Sequence, residues 1–177
     1  SRSYHDGSVY SLPNVTAGAQ GLFFYNMDLM EAAGLDPVAD APTDWDSFVA
    51  VSKALVDNLN GDQLDIIAWD PYQMAGQPFP IVFSYGAGYP TVSADGRTSL
   101  VNSGGVLETA RKFEEYVDEV YGRFGGHRAL IDWSSRVAGL DTGEAQVSAF
   151  INEGQVFYVA GSWTIGQVSS GNPDMNF

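Results

Sequence analysis

An α/β domain is predicted by three features of this sequence: short, wholly apolar runs of strand length, longer stretches with apolar residues at helical spacing, and Gly-, Pro- and Asn-rich turns that make the two alternate. The 177 residues suit one domain, and a chain of that length can bury a sizeable core. No repeat of fixed period and no low-complexity tract interrupts the alternation.

VYSL (9–12) reads as a short strand closed by Pro13. GLFFYN (21–26) reads as a buried strand running into the helix MDLMEAA, with Asn26 as N-cap and Gly34 as the left-handed residue after its end. DPVADAP (36–42) forms a Pro-rich turn. The next helix is expected to start at Thr43, with Asp46 three residues on completing a capping box. Trp45, Phe48, Leu55 and Leu59 line its apolar face until Asn60-Gly61 stops it.

Ile66–Trp69 is a second buried strand, followed by the loop DPYQMAGQPFP. IVFSYGAGYPTV (81–92) carries apolar residues and then glycines, and Asp95-Gly96 marks a hairpin between two short strands. Residues 106–121 place Val106, Leu107, Ala110, Phe113, Val117 and Val120 on one helical face. GRFGGHR reads as a flexible loop. A helix over 141–153 ends at Gly154, Val156–Ala160 forms a buried strand, and a last helix runs from Trp163 to about Ser170. Phe23, Phe24, Phe48, Phe113 and Phe150 are expected in the core.

Twenty-two acidic residues oppose eight basic ones, a formal charge of −14. That argues against nucleic acid and an anionic membrane surface as partners, since both require clustered Lys and Arg. Without cysteine, disulfides and thiol chemistry are excluded. No stretch reaches the ~18 continuous apolar residues of a membrane helix. His5 and His127 each stand in Gly-rich sequence, far apart, so no metal site is expected. GxSxG, a Walker loop and GxGxxG are absent, and GAGYP (86–90) lacks the third glycine and capped helix of a phosphate cradle. Asp44 and Asp46 suit a helix's first turn, and Glu114, Glu115, Asp118 and Glu119 suit a solvated helix face.

The candidate site lies at strand ends. Asn14, Asp70 and Trp163 follow or close apolar runs, and open α/β sheets bind ligands beyond the carboxyl ends of their strands. Tyr72 and Trp163 combine a flat apolar face with a polar edge, which suits the CH-rich faces of sugars. Asp70 has two readings, a ligand contact or a turn cap.

DGSVYSLPNVTAGAQGLFFYNMDLMEAAGLDP, then APTDWDSFVAVSKAL, and finally AFINEGQVFYVAGSWTIGQVSSGNPDMNF resemble segments of the family 1 extracellular solute-binding proteins of bacterial ABC importers. The resemblance runs nearly the whole length. It implies one lobe of a periplasmic-binding-protein type II-like fold, a central mixed sheet flanked by helices, with residues 1–177 forming the main segment of a C-terminal lobe. The first lobe and the chain end would lie outside this sequence. Also implied is a carbohydrate, a mono- or oligosaccharide, captured between two lobes by hinge closure and delivered to the transmembrane subunits of an ABC permease. Such a protein is a monomer without catalysis or cofactor, placed in the periplasm or lipid-anchored at the cell surface.

By residue, the resemblance puts Trp163 of Gly161-Ser162-Trp163 against the sugar. Asp70 and Tyr72 resemble the acidic-Pro-Tyr contacts of the maltodextrin-binding branch, and Asn14 falls at a polar contact. Gly86 and Gly88 match a glycine pair that lets backbone approach the cleft. QVFYVAGSW departs from the small residues and Met usual before GSW, and PYQMAGQPFP departs downstream of Tyr72. A carbohydrate-acting enzyme lobe using Asp70, or a ligand-free interaction or sensor module, are the alternatives.

Overall fold

The structure, a computed structural model, describes residues 4–5, 8–9, 21–72, 88–137 and 149–177. In chain order these form β1 (Tyr4–His5), β2 (Ser8–Val9), β3 (Leu22–Tyr25), α1 (Met27–Ala32), α2 (Trp45–Leu59), α3 (Gly104–Tyr121), α4 (His127–Val137), β4 (Phe157–Ala160) and α5 (Thr164–Gly171). A single 3-10 turn, Gly122–Phe124, links α3 to α4. β1 and β2 pair antiparallel, Tyr4 opposite Val9.

Local chemistry sets the helix ends. Asn26 is extended, and its Oδ1 accepts from the Leu29 N–H at 2.9 Å, which starts α1 as expected. Gly34 takes the left-handed conformation after it, at φ 80°. α2 starts one residue later than the sequence suggests. Its capping box is Asp44 with Ser47, not Thr43 with Asp46: Asp44 Oδ1 accepts from the Ser47 N–H at 2.8 Å, and Ser47 Oγ accepts from the Asp44 N–H at 3.1 Å. The short serine hydroxyl reaches back to the cap as readily as a glutamate does, so the box closes without an acid at its third position.

The sheet is mixed. β3 pairs antiparallel with β4 in the register Leu22–Ala160 through Tyr25–Phe157. On the other side of β4 the extended stretch 66–69 runs parallel to it. This stretch is reduced from the expected strand to one bridge, Ile67 with Gln155, held by Ile67 N–H to Gly154 O, Val156 N–H to Ile67 O and Phe157 N–H to Ala68 O. The ladder ends there because the Trp69 N–H donates instead to the Tyr121 hydroxyl at 3.0 Å.

Helices cover both faces. On one, Phe48 of α2 meets Trp69, Tyr116 and Phe157 with ring centroids 5.2–5.5 Å apart. This larger core also holds Leu55, Val56, Phe113, Val117, Val120, Tyr121 and Trp133. On the other face, Phe24 packs with Phe150, Ala160, Val168 and Met175. Alternation along β3 produces this division: Phe24 points to the smaller core, while Phe23 rests on Phe48 and Phe157. Phe23 is 39% exposed rather than core, because β3 is the outer strand among the described residues.

Two further expectations change. Leu107 lies on the solvent side of α3 and Ala110 is only half-buried, while Tyr116 and Tyr121 join Val106, Phe113, Val117 and Val120 inside. GRFGGHR is not a loop throughout. Gly125 and Gly126 take positive φ of 109° and 61°, reversing the chain so that α4 begins at His127 and buries Leu130 and Trp133. The Trp133 indole N–H donates to Asp65 O at 2.9 Å, which ties α4 to the loop before Ile67. The Asp95-Gly96 turn is present, with Gly96 at φ 72° and Val92 bridged to Ser99. Residues 10–12, and most of the expected helix over 141–153, lie outside the described residues.

Candidate functional site at the carboxyl edge of the sheet

Three chain segments meet at one edge of the sheet. Because 66–69 and β4 run parallel, Asp70–Tyr72 and Gly161–Trp163 leave the sheet on the same side. β3 runs the other way and enters there, with Leu22 opposite Ala160 and Gly21 before it at φ 74°. This is the edge where open α/β sheets hold ligands.

Trp163 is half-exposed, at 50%. Its six-membered ring lies on Gly161: the ring carbons occupy the place a Cβ would take. Gly161 is itself buried, so the glycine forms a flat backing for the indole. Only a residue without a side chain permits that approach. Trp163 also stands at the N-cap of α5, Ser162 between the two is half-buried, and the Thr164 N–H closes the turn onto Gly161 O at 3.1 Å. A strand therefore delivers a tryptophan at its end with one face supported by backbone and the side chain half in solvent.

Asp70 and Tyr72 are positioned by α3. The Tyr121 hydroxyl donates to Trp69 O at 2.8 Å while accepting from the Trp69 N–H, and the Tyr116 hydroxyl reaches the same carbonyl at 3.4 Å. The chain then turns at Asp70, whose Oδ1 accepts from the Tyr72 N–H at 2.9 Å. Asp70 is 5% exposed, so the turn-cap reading is the one its geometry displays. Tyr72 is half-buried. Its hydroxyl donates to Glu114 Oε1 of α3 at 2.8 Å, and its ring meets His127 of α4 edge to face, centroids 4.9 Å apart.

Burial pushes the Tyr72 phenol well above its ordinary pKa, and the adjacent charges of Glu114, Asp70 and Asp118 add to the shift. Tyr72 therefore stays neutral, and the hydrogen bond to Glu114 holds its proton on that side. Burial likewise raises Tyr116 and Tyr121. Among the described residues no group of three or more His, Cys, Asp or Glu could hold a metal ion.

Of the expected site residues, Asp70, Tyr72, Gly161, Ser162 and Trp163 share this edge. Gly88 is exposed with φ 87°, ahead of Tyr89, whose ring lies on Gly105 at the start of α3. Asn14 and Gly86 lie outside the described residues. Sequence reasoning missed Glu114 and His127. Nothing in VLETARKFEEYVDEVY separates Glu114 from the other acids, since its partner lies 42 residues away.

Residues 2–169 match the family model of the bacterial extracellular solute-binding proteins. The chain belongs to that family. It is a family of binding proteins, and among the described residues of this member no helix is long and apolar enough to cross a membrane. No curated protein sequence matches this chain. Among solved structures it is similar to CpMnBP1 with mannobiose bound, at 19% identity and a TM-score of 0.70, over 98% of this chain and 40% of that one. It is also similar to a solute-binding protein of an ABC transporter from Thermotoga lettingae TMO bound with α-D-tagatose, at 18% identity and 0.60, covering 89% and 38%. A third is the cyclic α-maltosyl-1,6-maltose binding protein from Arthrobacter globiformis, at 20% and 0.56, covering 87% and 34%. The chain thus has the periplasmic-binding-protein-like fold and spans about two fifths of the length of these structures or less.

Proposed function

We propose that this chain is the main segment of the C-terminal lobe of a two-lobe, carbohydrate-binding component of an ABC importer. The ligand, a mono- or oligosaccharide, sits at the carboxyl edge of the sheet and is enclosed by the second lobe through hinge closure. Closure follows because the ligand makes contacts to both lobes only in the closed state, which shifts the population toward it. The loaded protein, a monomer outside the cytoplasm (in the periplasm or lipid-anchored), then delivers the sugar to the permease.

One observation carries this reading: Trp163 at a strand end, half-exposed and backed by the backbone of Gly161. An aromatic face held rigid in that way stacks on the CH groups of a sugar ring with little loss of side-chain entropy. Tyr72 supplies a second ring at the same edge, Asp70 fixes the turn that presents it, and Asn14, Gly86, Gly88 and Ser162 complete the proposed contacts. Carbohydrate ligands in two of the structural neighbours agree with this choice of substrate class.

The test is a thermal-shift screen of the full-length protein against mannobiose, mannotriose, maltodextrins, monosaccharides, polyols and amino acids. A sugar at 100 times its dissociation constant adds about 2.7 kcal/mol of stability, a shift of a few degrees. Trp163→Ala should weaken that binding at least tenfold. Unchanged affinity in this variant would remove Trp163 from the site, and silence across all the sugars would overturn the reading.

A further inference from the structure

We infer that Glu114 is a positioning residue of the sugar site, fixing Tyr72 as a hydrogen-bond acceptor toward the ligand. The inference rests on the carbohydrate-binding reading above and adds to it a rule for which ligand groups the edge admits.

The geometry is local and complete. The Tyr72 hydroxyl has one proton, and that proton is given to Glu114 Oε1 at 2.8 Å. A phenol has two lone pairs as well, so with its donor committed it can only accept from anything else. A carboxylate is the acceptor that commits the proton most firmly, because charge-assisted hydrogen bonds are about twice as strong as neutral ones. A phenolate is disfavoured by the burial of the ring and by Asp70 and Asp118 nearby, which raise the cost of negative charge on the oxygen, and a neutral phenol turned to the ligand would give up the Glu114 hydrogen bond. His127 closes against the ring edge-on and limits its rotation.

Glu114 itself is exposed on α3 and takes no part in the core, so its carboxylate is not needed to build the helix. Ligand groups opposite the Tyr72 oxygen must therefore donate. A free sugar hydroxyl can do so, whereas an ether oxygen or a carbonyl at the same place cannot.

The experiment compares full-length wild type, Glu114→Gln, Glu114→Ala and Tyr72→Phe by calorimetric titration. The probes are mannobiose, or the best sugar of the screen, and its single O-methyl ethers. In wild type, one ether should bind at least tenfold more weakly than the parent sugar. Glu114→Ala should lose roughly tenfold in affinity for the parent, because the hydroxyl is no longer held before binding with its lone pairs toward the ligand. It should also discriminate less against that ether, since Tyr72 is then free to donate. Glu114→Gln, whose Oε1 still accepts, should restore most of the affinity. Adding Glu114→Ala to Tyr72→Phe should cost no more than Tyr72→Phe alone.

If wild type binds the sugar but Glu114→Ala binds it equally well with the same preference among the ethers, the inference is overturned and the sugar reading stands. Additive losses in the double variant likewise overturn it. Absence of any sugar binding in wild type removes both.

Discussion

The Tyr121 hydroxyl grips Trp69 twice, accepting from its backbone N–H at 3.0 Å and donating to its carbonyl at 2.8 Å. A single side chain on α3 therefore takes over the two groups that the sheet ladder would otherwise use. The strand ends there, and the chain is released into the Asp70–Tyr72 turn. Tyr121→Phe removes both of these hydrogen bonds from the buried Trp69 backbone, while the longer Tyr116 contact to the carbonyl stays. It should destabilise the protein by about 2 kcal/mol in urea unfolding and weaken sugar binding in parallel. A loss of stability with affinity untouched would show that the turn holds its place without the grip.

Gly161→Ala tests the backing of the indole. A Cβ there meets the Trp163 ring directly, and the ring, being half-exposed, can move aside. Sugar affinity should fall at least tenfold while the unfolding midpoint changes by no more than a few degrees. A variant that binds normally would mean that the indole does not need the glycine to be in place.

Arg123 holds the end of α2. Its guanidinium pairs with Asp57 at 2.8 Å, lies over the Phe124 ring at 4.0 Å, and reaches the Val56, Gly61 and Asn60 carbonyls at 3.3–3.4 Å. Those carbonyls lie at and just beyond the negative end of the helix dipole. Arg123→Ala should cost about 1 kcal/mol, less in high salt because the group is partly exposed. Arg123→Lys should recover only part of it, since an ammonium cannot serve several carbonyls in a fork.

Stability should fall at both extremes of pH. Asp28, Asp36, Asp44 and Asp95 accept hydrogen bonds in the folded state, which hold their carboxyls below the ordinary 3.8. Their contribution is present above about pH 4 and lost as pH falls through the lower folded values. Tyr72, Tyr116 and Tyr121 are raised above 10.0, so their neutral forms favour folding. That contribution is complete below pH 10 and fades as pH rises beyond it. Asp44→Asn should flatten the acid limb, while Thr43→Ala should leave it unchanged. A midpoint that stays constant from pH 4 to pH 2.5 would contradict the first half of this prediction.

Much of the fold is readable from short-range chemistry. Asn26 and Gly34 frame α1 because a cap and a left-handed stop act within a few residues, and the same holds for Asp95-Gly96. The run Val156–Ala160 followed by Gly-Ser-Trp pointed to an exposed aromatic at a strand end, and Trp163 is there. What escaped the sequence depends on distant partners. Tyr116 and Tyr121 read as ordinary helix residues until Trp69 is placed beside them, and Glu114 reads as one acid among several until Tyr72 arrives. Gly125-Gly126 reads as a loop for the same reason: two glycines can make a tight reversal, and only the burial of Leu130 and Trp133 shows that a helix follows.

α3 touches the ligand edge at two points, Tyr121 on Trp69 and Glu114 on Tyr72, seven residues or about 10 Å apart along its axis. Two anchors on one rod tie the stretch from Trp69 to Tyr72 to α3 at both its ends. Under the proposed two-lobe reading, the Trp69–Tyr72 segment should move together with α3 during closure. On that proposed reading, the energy of closure would go to the angle between the lobes and not to rearranging this segment.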